Sequence, residues 1–219
     1  MLFRSRRETL AGLSHDLRTP LARLRLRAET ELPEALAAKV EGDVLALQRV
    51  VTQFVIYMEG EEAAQAPGRP ERLSELVARG CAPYAELQGL RWTVRPADWS
   101  AVLAPDLAVQ RLLGNLVDNA YAHGRGQVTV SLSQHAGRWW LWVGDEGRGI
   151  HAGELAAAQQ PFVKLPGGRG REAGHCGLGL AIVADLAQAL GGELVHRPFD
   201  GLTWAIGVSV PLAPDPPRV

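Results

Sequence analysis

Two apolar stripes in the first sixty residues constrain the fold most strongly. Within each stripe, apolar residues recur at steps of three or four, which is the spacing of an amphipathic helix. The first stripe comprises Leu10, Leu13, Leu17, Leu21, Leu24 and Ala28, and the second comprises Leu36, Val40, Val44, Leu47, Val51, Phe54 and Met58. Because only a tight turn fits between Glu29 and Glu34, the sequence predicts an antiparallel helical hairpin.

The hairpin carries more apolar surface than two helices can bury against each other. The 3–4 alternation of the second stripe is the geometry of a coiled-coil or bundle seam. We therefore predict an all-α dimeric hairpin, in which a second copy completes a four-helix bundle. The alternative is a monomeric hairpin that packs on the remainder of the chain.

A composition change after the hairpin predicts a domain boundary. Helical periodicity is lost over residues 60–70, where Glu, Ala, Pro and Gly collect, as in a linker. The predicted division is a hairpin over 1–62, a linker over 63–70, a second domain over 71–213 and a tail over 214–219.

The second domain mixes helices with strands that are mostly antiparallel, which predicts an α+β two-layer sandwich. Helices are predicted at 73–87, 105–123 and 178–190, and residues 151–177 are predicted to be irregular. The predicted strands are 91–96, 101–105, 127–133, 138–145, 193–198 and 203–212.

Composition narrows the class of protein. Hydrophobic residues make up 47% and charged residues 21% of the chain, which argues against disordered, collagen-like and membrane-embedded classes. A net charge of -1 gives no electrostatic reason to expect nucleic acid. Cys81 and Cys176 are too few for a disulfide framework and suit a reducing compartment. No apolar run approaches the ~18 residues that a membrane span needs.

The first chemical motif is SHDLRTPL, residues 14–21, on the first predicted helix. His15 falls opposite the apolar stripe and should face solvent, with Thr19 one turn further on the same face. A neutral imidazole is a nucleophile, and Asp16 can accept a proton from its other ring nitrogen. Pro20 has no N–H for the carbonyl of Asp16, so a bend is expected there. An ordinary exposed histidine is the alternative interpretation.

Two further motifs suggest a nucleotide. In GNLVDNAYAHG, Asn115 and Asn119 are one helical turn apart, and their amide oxygens could join phosphates around Mg²⁺, although a solvated polar face is the simpler interpretation. In VGDEGRGI, Asp145 can accept a hydrogen bond from an exocyclic amine, while Gly147 and Gly149 let a flat ring approach the backbone. This second motif could also be a simple turn.

A fourth motif, CGLGLAIV, opens a predicted helix. Gly177 and Gly179 allow backbone N–H groups to crowd a phosphate at a helix N-terminus, although close helix packing would also explain them. The preceding glycine-rich segment carries Lys164, Arg169 and Arg171 and predicts a mobile basic lid, with a solvated loop as the alternative. Phe162, next to Pro161, is expected to anchor this segment to the domain.

Together, in this order, the motifs resemble the sensor histidine kinases of bacterial two-component systems, most closely the osmosensor branch. SHDLRTPL is similar to the H box, GNLVDNA to the N box, DEGRGI and GLGLAIV to the two glycine boxes, and PFVK to the phenylalanine box. The resemblance implies a dimerisation and histidine-phosphotransfer hairpin followed by a Bergerat (GHKL) ATP-binding domain, the type shared with gyrase, Hsp90 and MutL.

The resemblance also implies roles for individual residues. His15 would be the phospho-acceptor, Asp16 its acid/base partner, and Thr19 would hold water for dephosphorylation of the response regulator. ATP and Mg²⁺ would be the cofactors, with Asn119 and Asn115 holding the metal and Asp145 binding adenine. The other implied nucleotide contacts are Gly147, Gly149, Phe162, Lys164, Arg169, Arg171, Gly177, Leu178 and Gly179.

The implied partners are a second copy of the chain and the receiver domain of a cognate response regulator, with no direct nucleic-acid contact. Membrane contact would be made only by segments preceding this chain, as expected of the cytoplasmic portion of a protein of the bacterial inner membrane.

Two departures from the family pattern leave alternatives open. Ala122 and His123 stand where the family usually has a basic residue followed by Tyr, and His175 replaces the first glycine of the second glycine box. A dimeric ATP-binding scaffold or phosphatase-only module therefore remains an alternative. A Bergerat ATPase is disfavoured because Asn115 replaces its general-base Glu, and a serine kinase would leave SHDLRTPL without a purpose.

Overall fold

The computed structural model describes residues 2–58, 71–88, 90–95, 103–165, 176–199 and 202–212, with only the backbone for residues 2–16, 87–88, 94–95, 103, 152, 198–199 and 202–203. Helix α1 is Leu2–Glu31 and α2 is Glu34–Met58, so the predicted hairpin is confirmed. The turn is compact because the carbonyl of Pro33 accepts hydrogen bonds from Leu36 and Ala37 as α2 begins. The predicted linker and tail lie outside the described residues.

The two helices of the hairpin cover each other only in part. An ion pair joins Arg25 Nη2 to Glu41 Oε1 at 2.7 Å and fixes their relative level. Of the two apolar stripes, Leu21, Ala28 and Val44 are buried. Leu24 and Leu47 remain 50% and 51% exposed. In a single chain, an apolar face of the hairpin therefore remains open.

The remainder of the chain alternates short strands with helices. These elements are β1 (Glu71–Arg72), α3 (Leu73–Gln88), β2 (Arg91–Arg95), β3 (Leu103–Ala104), α4 (Asp106–His123), β4 (Thr129–His135), β5 (Arg138–Asp145), α5 (Ala152–Ala158), α6 (Gly179–Ala189), β6 (Glu193–Phe199) and β7 (Leu202–Pro211).

The main sheet has five strands in the order β2-β4-β5-β7-β6. Only β2 and β4 pair in parallel within it, so the prediction of a mostly antiparallel sheet is confirmed. β1 and β3 form a separate antiparallel pair. Side chains alternate between faces along β5: Trp139 and Leu141 join the core beneath the helices, while Trp142 packs under the guanidinium of Arg197.

Helices α3, α4 and α6 supply the second layer of the sandwich. The apolar face of α4 is buried in full, and it comprises Val109, Leu112, Leu113, Leu116, Val117 and Ala120. The second half of α2 also contacts this domain, because Phe54, Ile56 and Tyr57 pack against its core. The hairpin therefore lies beside the helical layer.

The prediction that residues 151–177 are irregular is wrong in part, because α5 lies within them. Its sequence is rich in alanine, the strongest helix former. Glu154 also accepts a hydrogen bond from the backbone N–H of His151 at 3.4 Å, which stabilises the first turn. Glycine and basic residues elsewhere in this stretch concealed a helix that has only two turns.

Candidate functional site

A cavity of about 1360 Å³ lies between the second half of α2, α4, the end of β5 and the start of α6. It brings together most of the nucleotide contacts that the sequence predicts. Those on its wall are Asn115, Asn119, Asp145, Gly147, Gly149, Lys164, Gly177, Leu178 and Gly179. Residues far apart in the chain therefore meet at one site.

Asp145, the last residue of β5, provides a buried carboxylate in this cavity. Its side chain is 7% exposed, and Oδ1 accepts a hydrogen bond from the backbone N–H of Gly147 at 2.6 Å. Burial raises the pKa of Asp145, while hydrogen bonds from the backbone of Gly147 and Arg125 act in the opposite direction. The arrangement fixes a hydrogen-bond acceptor at the base of the cavity.

The two glycines after Asp145 are required by close contacts. A Cβ at Gly147 would lie 2.5 Å from Oδ1 of Asp145. Gly149 has a φ of +67°, and a Cβ there would lie 2.4 Å from the ring of Trp204. The backbone at these positions therefore forms part of the cavity wall without a side chain in front of it.

Asn115 on α4 is buried rather than solvated, with 7% of its surface exposed. Its Nδ2 donates to the carbonyl of Arg111 at 2.8 Å, which fixes the amide orientation. Its Oδ1 lies beside the start of α6, since a Cβ at Gly179 would be 3.5 Å from that oxygen. The interpretation of the asparagine pair as a solvated polar face is therefore wrong for Asn115, and Asn119 lines the same cavity one turn later.

The start of α6 leaves backbone donors without a side-chain cap. Leu178, the residue before the helix, makes no side-chain hydrogen bond to the first turn. Gly177 has a φ of +75°, a Cβ there would lie 2.6 Å from the carbonyl oxygen of Val163, and its own carbonyl accepts from the N–H of Phe162 at 3.0 Å. Burial raises the pKa of the Cys176 thiol, while backbone hydrogen bonds from Leu178 and Cys176 and the nearby charge of Lys164 act in the opposite direction. Uncapped N–H groups beside a lysine suit an anion.

The remaining predicted residues lie elsewhere. Phe162 is 56% exposed, is not on the cavity wall, and packs its ring 6.5 Å from that of Phe54 on α2. Its ring therefore contacts the hairpin, whereas the sequence predicts an anchor to the domain. Thr19 is exposed on α1, in which Pro20 is also included. The side chains of His15 and Asp16 lie outside the described residues, as do Arg169, Arg171 and His175.

One wall of the cavity is a face of α2, which the sequence did not predict. Its members are Leu45, Gln48, Arg49, Thr52 and Gln53. Their spacing is that of a single helical face, and this periodicity was present in the sequence. This periodicity does not by itself indicate a site, because four of the five residues are polar and such a face is usually solvated. His123 and Arg125, at and just beyond the end of α4, also line the cavity.

Comparison with known protein families agrees with this geometry. Residues 105–214, half of the chain, match the family described as histidine kinase-, DNA gyrase B- and HSP90-like ATPases. The chain belongs to this ATPase family. The matched segment contains the asparagine pair, Asp145 and the start of α6.

The relatives of this chain include bacterial sensor proteins. It is 32% identical over 201 residues to the sensor protein RstB of Escherichia coli (strain K12), covering 88% of this chain and 46% of RstB. It is 29% identical over 225 residues to the signal transduction histidine-protein kinase BaeS of the same strain, covering 96% of this chain and 48% of BaeS. The chain thus spans about half the length of these relatives.

A solved structure extends the likeness to most of the chain. Full-length ShkA, crystallised in complex with AMPPNP, superposes with a TM-score of 0.70 at 26% identity, covering 94% of this chain and 46% of ShkA. These comparisons confirm the resemblance to the catalytic portion of bacterial sensor histidine kinases and the fold class of a helical segment followed by a GHKL sandwich. The four-helix dimer stays a prediction. Within the described helices, no segment has the length and apolar character to cross a bilayer.

Proposed function

We propose that this chain is an ATP-dependent protein histidine kinase that phosphorylates His15 and passes the phosphoryl group to an aspartate of a response regulator. The observation that carries the proposal is the single cavity joining a buried acceptor at Asp145, the amide oxygen of Asn115 and the uncapped start of α6. These groups match the chemistry of an adenine, a divalent cation and a polyphosphate, respectively.

In this proposal, each end of the cavity recognises a different part of ATP. Asp145 accepts a hydrogen bond from the exocyclic amine of adenine. The N–H groups at the start of α6, together with Lys164, hold the phosphates. Within the described part of the chain, no cluster of three or more His, Cys, Asp or Glu side chains could hold a metal alone. Asn119 and Asn115 would therefore hold Mg²⁺ jointly with the phosphates, and the ion would supply charge neutralisation.

The proposed reaction is an in-line displacement. The ATP-binding domain moves relative to the hairpin until the γ-phosphorus faces His15. One imidazole nitrogen forms a bond to that phosphorus, the bond to the bridging oxygen breaks, and ADP leaves. Asp16 accepts the proton from the other ring nitrogen. Catalysis then consists mainly of positioning and charge stabilisation.

We further propose that the active protein is a homodimer and that its partner is a receiver domain. The exposed apolar side chains of the hairpin, Leu24 and Leu47 among them, support the dimer, because a second copy would cover them. His15 would transfer its phosphoryl group to the receiver aspartate. Thr19 and Asp16 would hold the water that later removes that group.

Incubation with γ-labelled ATP and Mg²⁺ tests the kinase. The expected result is an acid-labile, base-stable label on the chain, lost in His15→Gln and retained in His135→Gln, which changes an exposed histidine on β4. Label that survives His15→Gln would sink the proposal. A Thr19→Ala variant should keep the label but lose dephosphorylation of its receiver.

A second candidate function is a dimeric ATP-binding scaffold or phosphatase-only module. The observation in its favour is Ala122, which leaves no cation where the family usually has one. This function predicts that the chain binds ATP but acquires no label. A kinase would both bind ATP and acquire the label. The same labelling experiment, combined with a nucleotide titration, therefore separates the two.

A further inference from the structure

Helix α2 presents a polar face to the nucleotide-domain cavity. Leu45, Gln48, Arg49, Thr52 and Gln53 follow the steps of one helical face, and all line the cavity. This face differs from the apolar stripe of α2, which includes Val44, the side chain that is buried in the hairpin. A helix whose second face is polar and turned towards a cavity suits a polar ligand.

Two contacts determine which end of the cavity this face covers. Tyr57 lies within electrostatic reach of Asp185, in the second half of α6. Phe54, nearly one turn earlier in α2, packs against Phe162, whose N–H bonds Gly177 just before α6. Moving backwards along α2 therefore leads towards the start of α6. Arg49 precedes Phe54 by five residues in α2 and therefore lies towards the end of the cavity where the uncapped N–H groups of α6 are.

The same part of α2 lies at the same height along the hairpin axis as His15 on α1. The ion pair of Arg25 with Glu41 sets the level of the two antiparallel helices. His15 precedes Arg25 by ten residues and Val51 follows Glu41 by ten, and α-helices have one rise per residue. The backbone of His15 therefore lies opposite Val51. Arg49 and Thr52 flank that level on α2.

Arg49 adds a cation from the hairpin to a cavity whose wall also includes Arg125, Arg148 and Lys164. Ala122 stands where the resemblance leads one to expect a basic residue, so α4 has no cation at that position. The Arg49 side chain is exposed, and no ion pair to it is found among the residues that the structure describes. In addition, Oε1 of Gln53, one turn away, is buried without a hydrogen-bond partner in the described part of the chain. Both side chains have unused hydrogen-bonding capacity at the cavity.

We propose that Arg49 binds the polyphosphate of the nucleotide, so that the hairpin forms part of the ATP site. This inference rests on the proposed function and adds a ligand from outside the ATP-binding domain. A guanidinium forms two parallel charge-assisted hydrogen bonds to phosphate oxygens, which an amide cannot. Triphosphate binding then holds α2 against the cavity and brings the level of His15 to the phosphate end of the nucleotide.

The test is a titration of the whole chain with AMPPNP and with adenosine, in the presence of Mg²⁺ and followed by NMR. Arg49→Gln should bind AMPPNP about tenfold more weakly and adenosine as the unaltered chain does, because only the phosphate contact is removed. Arg49→Lys should recover part of the loss. Arg27→Gln is the matched control, since it removes an exposed arginine from α1 that does not line the cavity.

Equal AMPPNP affinities for Arg49→Gln and Arg27→Gln would overturn the role of Arg49 while leaving the proposed function intact. An equal loss for AMPPNP and adenosine in Arg49→Gln would also overturn it, because that pattern indicates a general disturbance of the cavity. If the unaltered chain bound neither compound, the proposed function itself would fail, and the inference with it.

Discussion

At the scale of single residues, replacing Asp145 should affect the free energy of unfolding and nucleotide binding in different ways. Its carboxylate is buried, and desolvation raises its pKa above the ordinary value of 3.8. Ionisation in the folded state is therefore penalised relative to the unfolded chain. We expect Asp145→Asn to keep or increase the free energy of unfolding at pH 7 in urea titrations, while AMPPNP binding weakens about 10- to 100-fold because an acceptor is lost.

The sign of the pH dependence follows from the raised pKa. Between the unfolded and folded pKa values the native state binds more protons, so the unaltered chain loses stability as pH rises through that window. Asp145→Asn should lack this loss, and the stability difference between the two should be constant at higher pH. Glu86→Gln, an exposed carboxylate on α3, is the control. A variant that is less stable than the parent at pH 7 would contradict the assigned cost of burial.

At the scale of helices, two glycines should respond to alanine with opposite signs. A Cβ at Gly80 on α3 would lie 2.5 Å from Cδ2 of Leu113, which is buried in α4. A Cβ at Gly114 would meet only the hydroxyl of Tyr84, at 4.0 Å. Gly114→Ala should therefore stabilise by about 0.5–1 kcal/mol through helix propensity. Gly80→Ala should destabilise by about 1 kcal/mol, because overpacking exceeds that gain.

Urea unfolding of both variants, followed by circular dichroism, measures this difference. Because Gly114 adjoins the site residue Asn115, AMPPNP binding by Gly114→Ala should be checked in parallel. Two shifts of the same sign would mean that α3 and α4 are not packed at the distance that the Gly80 contact implies.

Elements with a strong periodic pattern could be predicted from the sequence, and elements fixed by tertiary contacts could not. The buried face of α4 follows from Leu112, Leu116 and their neighbours. The two-turn α5 was not predicted, because so short a helix has no extended periodicity. For Asn115 a solvated face stayed open as the simpler interpretation beside a metal-binding role, since spacing alone does not reveal that the start of α6 lies beside it.

The same limit applies to the candidate site. Asp145 and the glycines around it could be predicted because their residue types are demanded by local geometry, such as the positive φ of Gly149. The contribution of Arg49 could not be predicted, because it depends on how the hairpin lies against the sandwich. That arrangement is determined by long-range contacts such as Phe54 with Phe162.

At the scale of the whole molecule, the hairpin has one face packed against the nucleotide domain and one apolar face that is exposed. One side of α2 contacts the nucleotide-domain cavity, while apolar side chains elsewhere on the hairpin, including Leu24 and Leu47, remain exposed. A single chain therefore covers the first of these faces and leaves the apolar one open to solvent. If a second copy covers the open face, both faces of α2 are used, and nucleotide binding on one face is linked to the position of the bundle on the other.

Charge introduced into the open face tests this division. The double variant Leu24→Glu and Leu47→Glu should convert a dimer into a monomer of half the mass, measured by light scattering after size-exclusion chromatography, because a buried bundle seam cannot hold unpaired carboxylates. Leu107→Glu, an exposed apolar residue on α4, should remain dimeric. Since the nucleotide cavity is formed within one chain, the monomer should still bind AMPPNP. A double variant that keeps the dimer mass would place the subunit interface elsewhere.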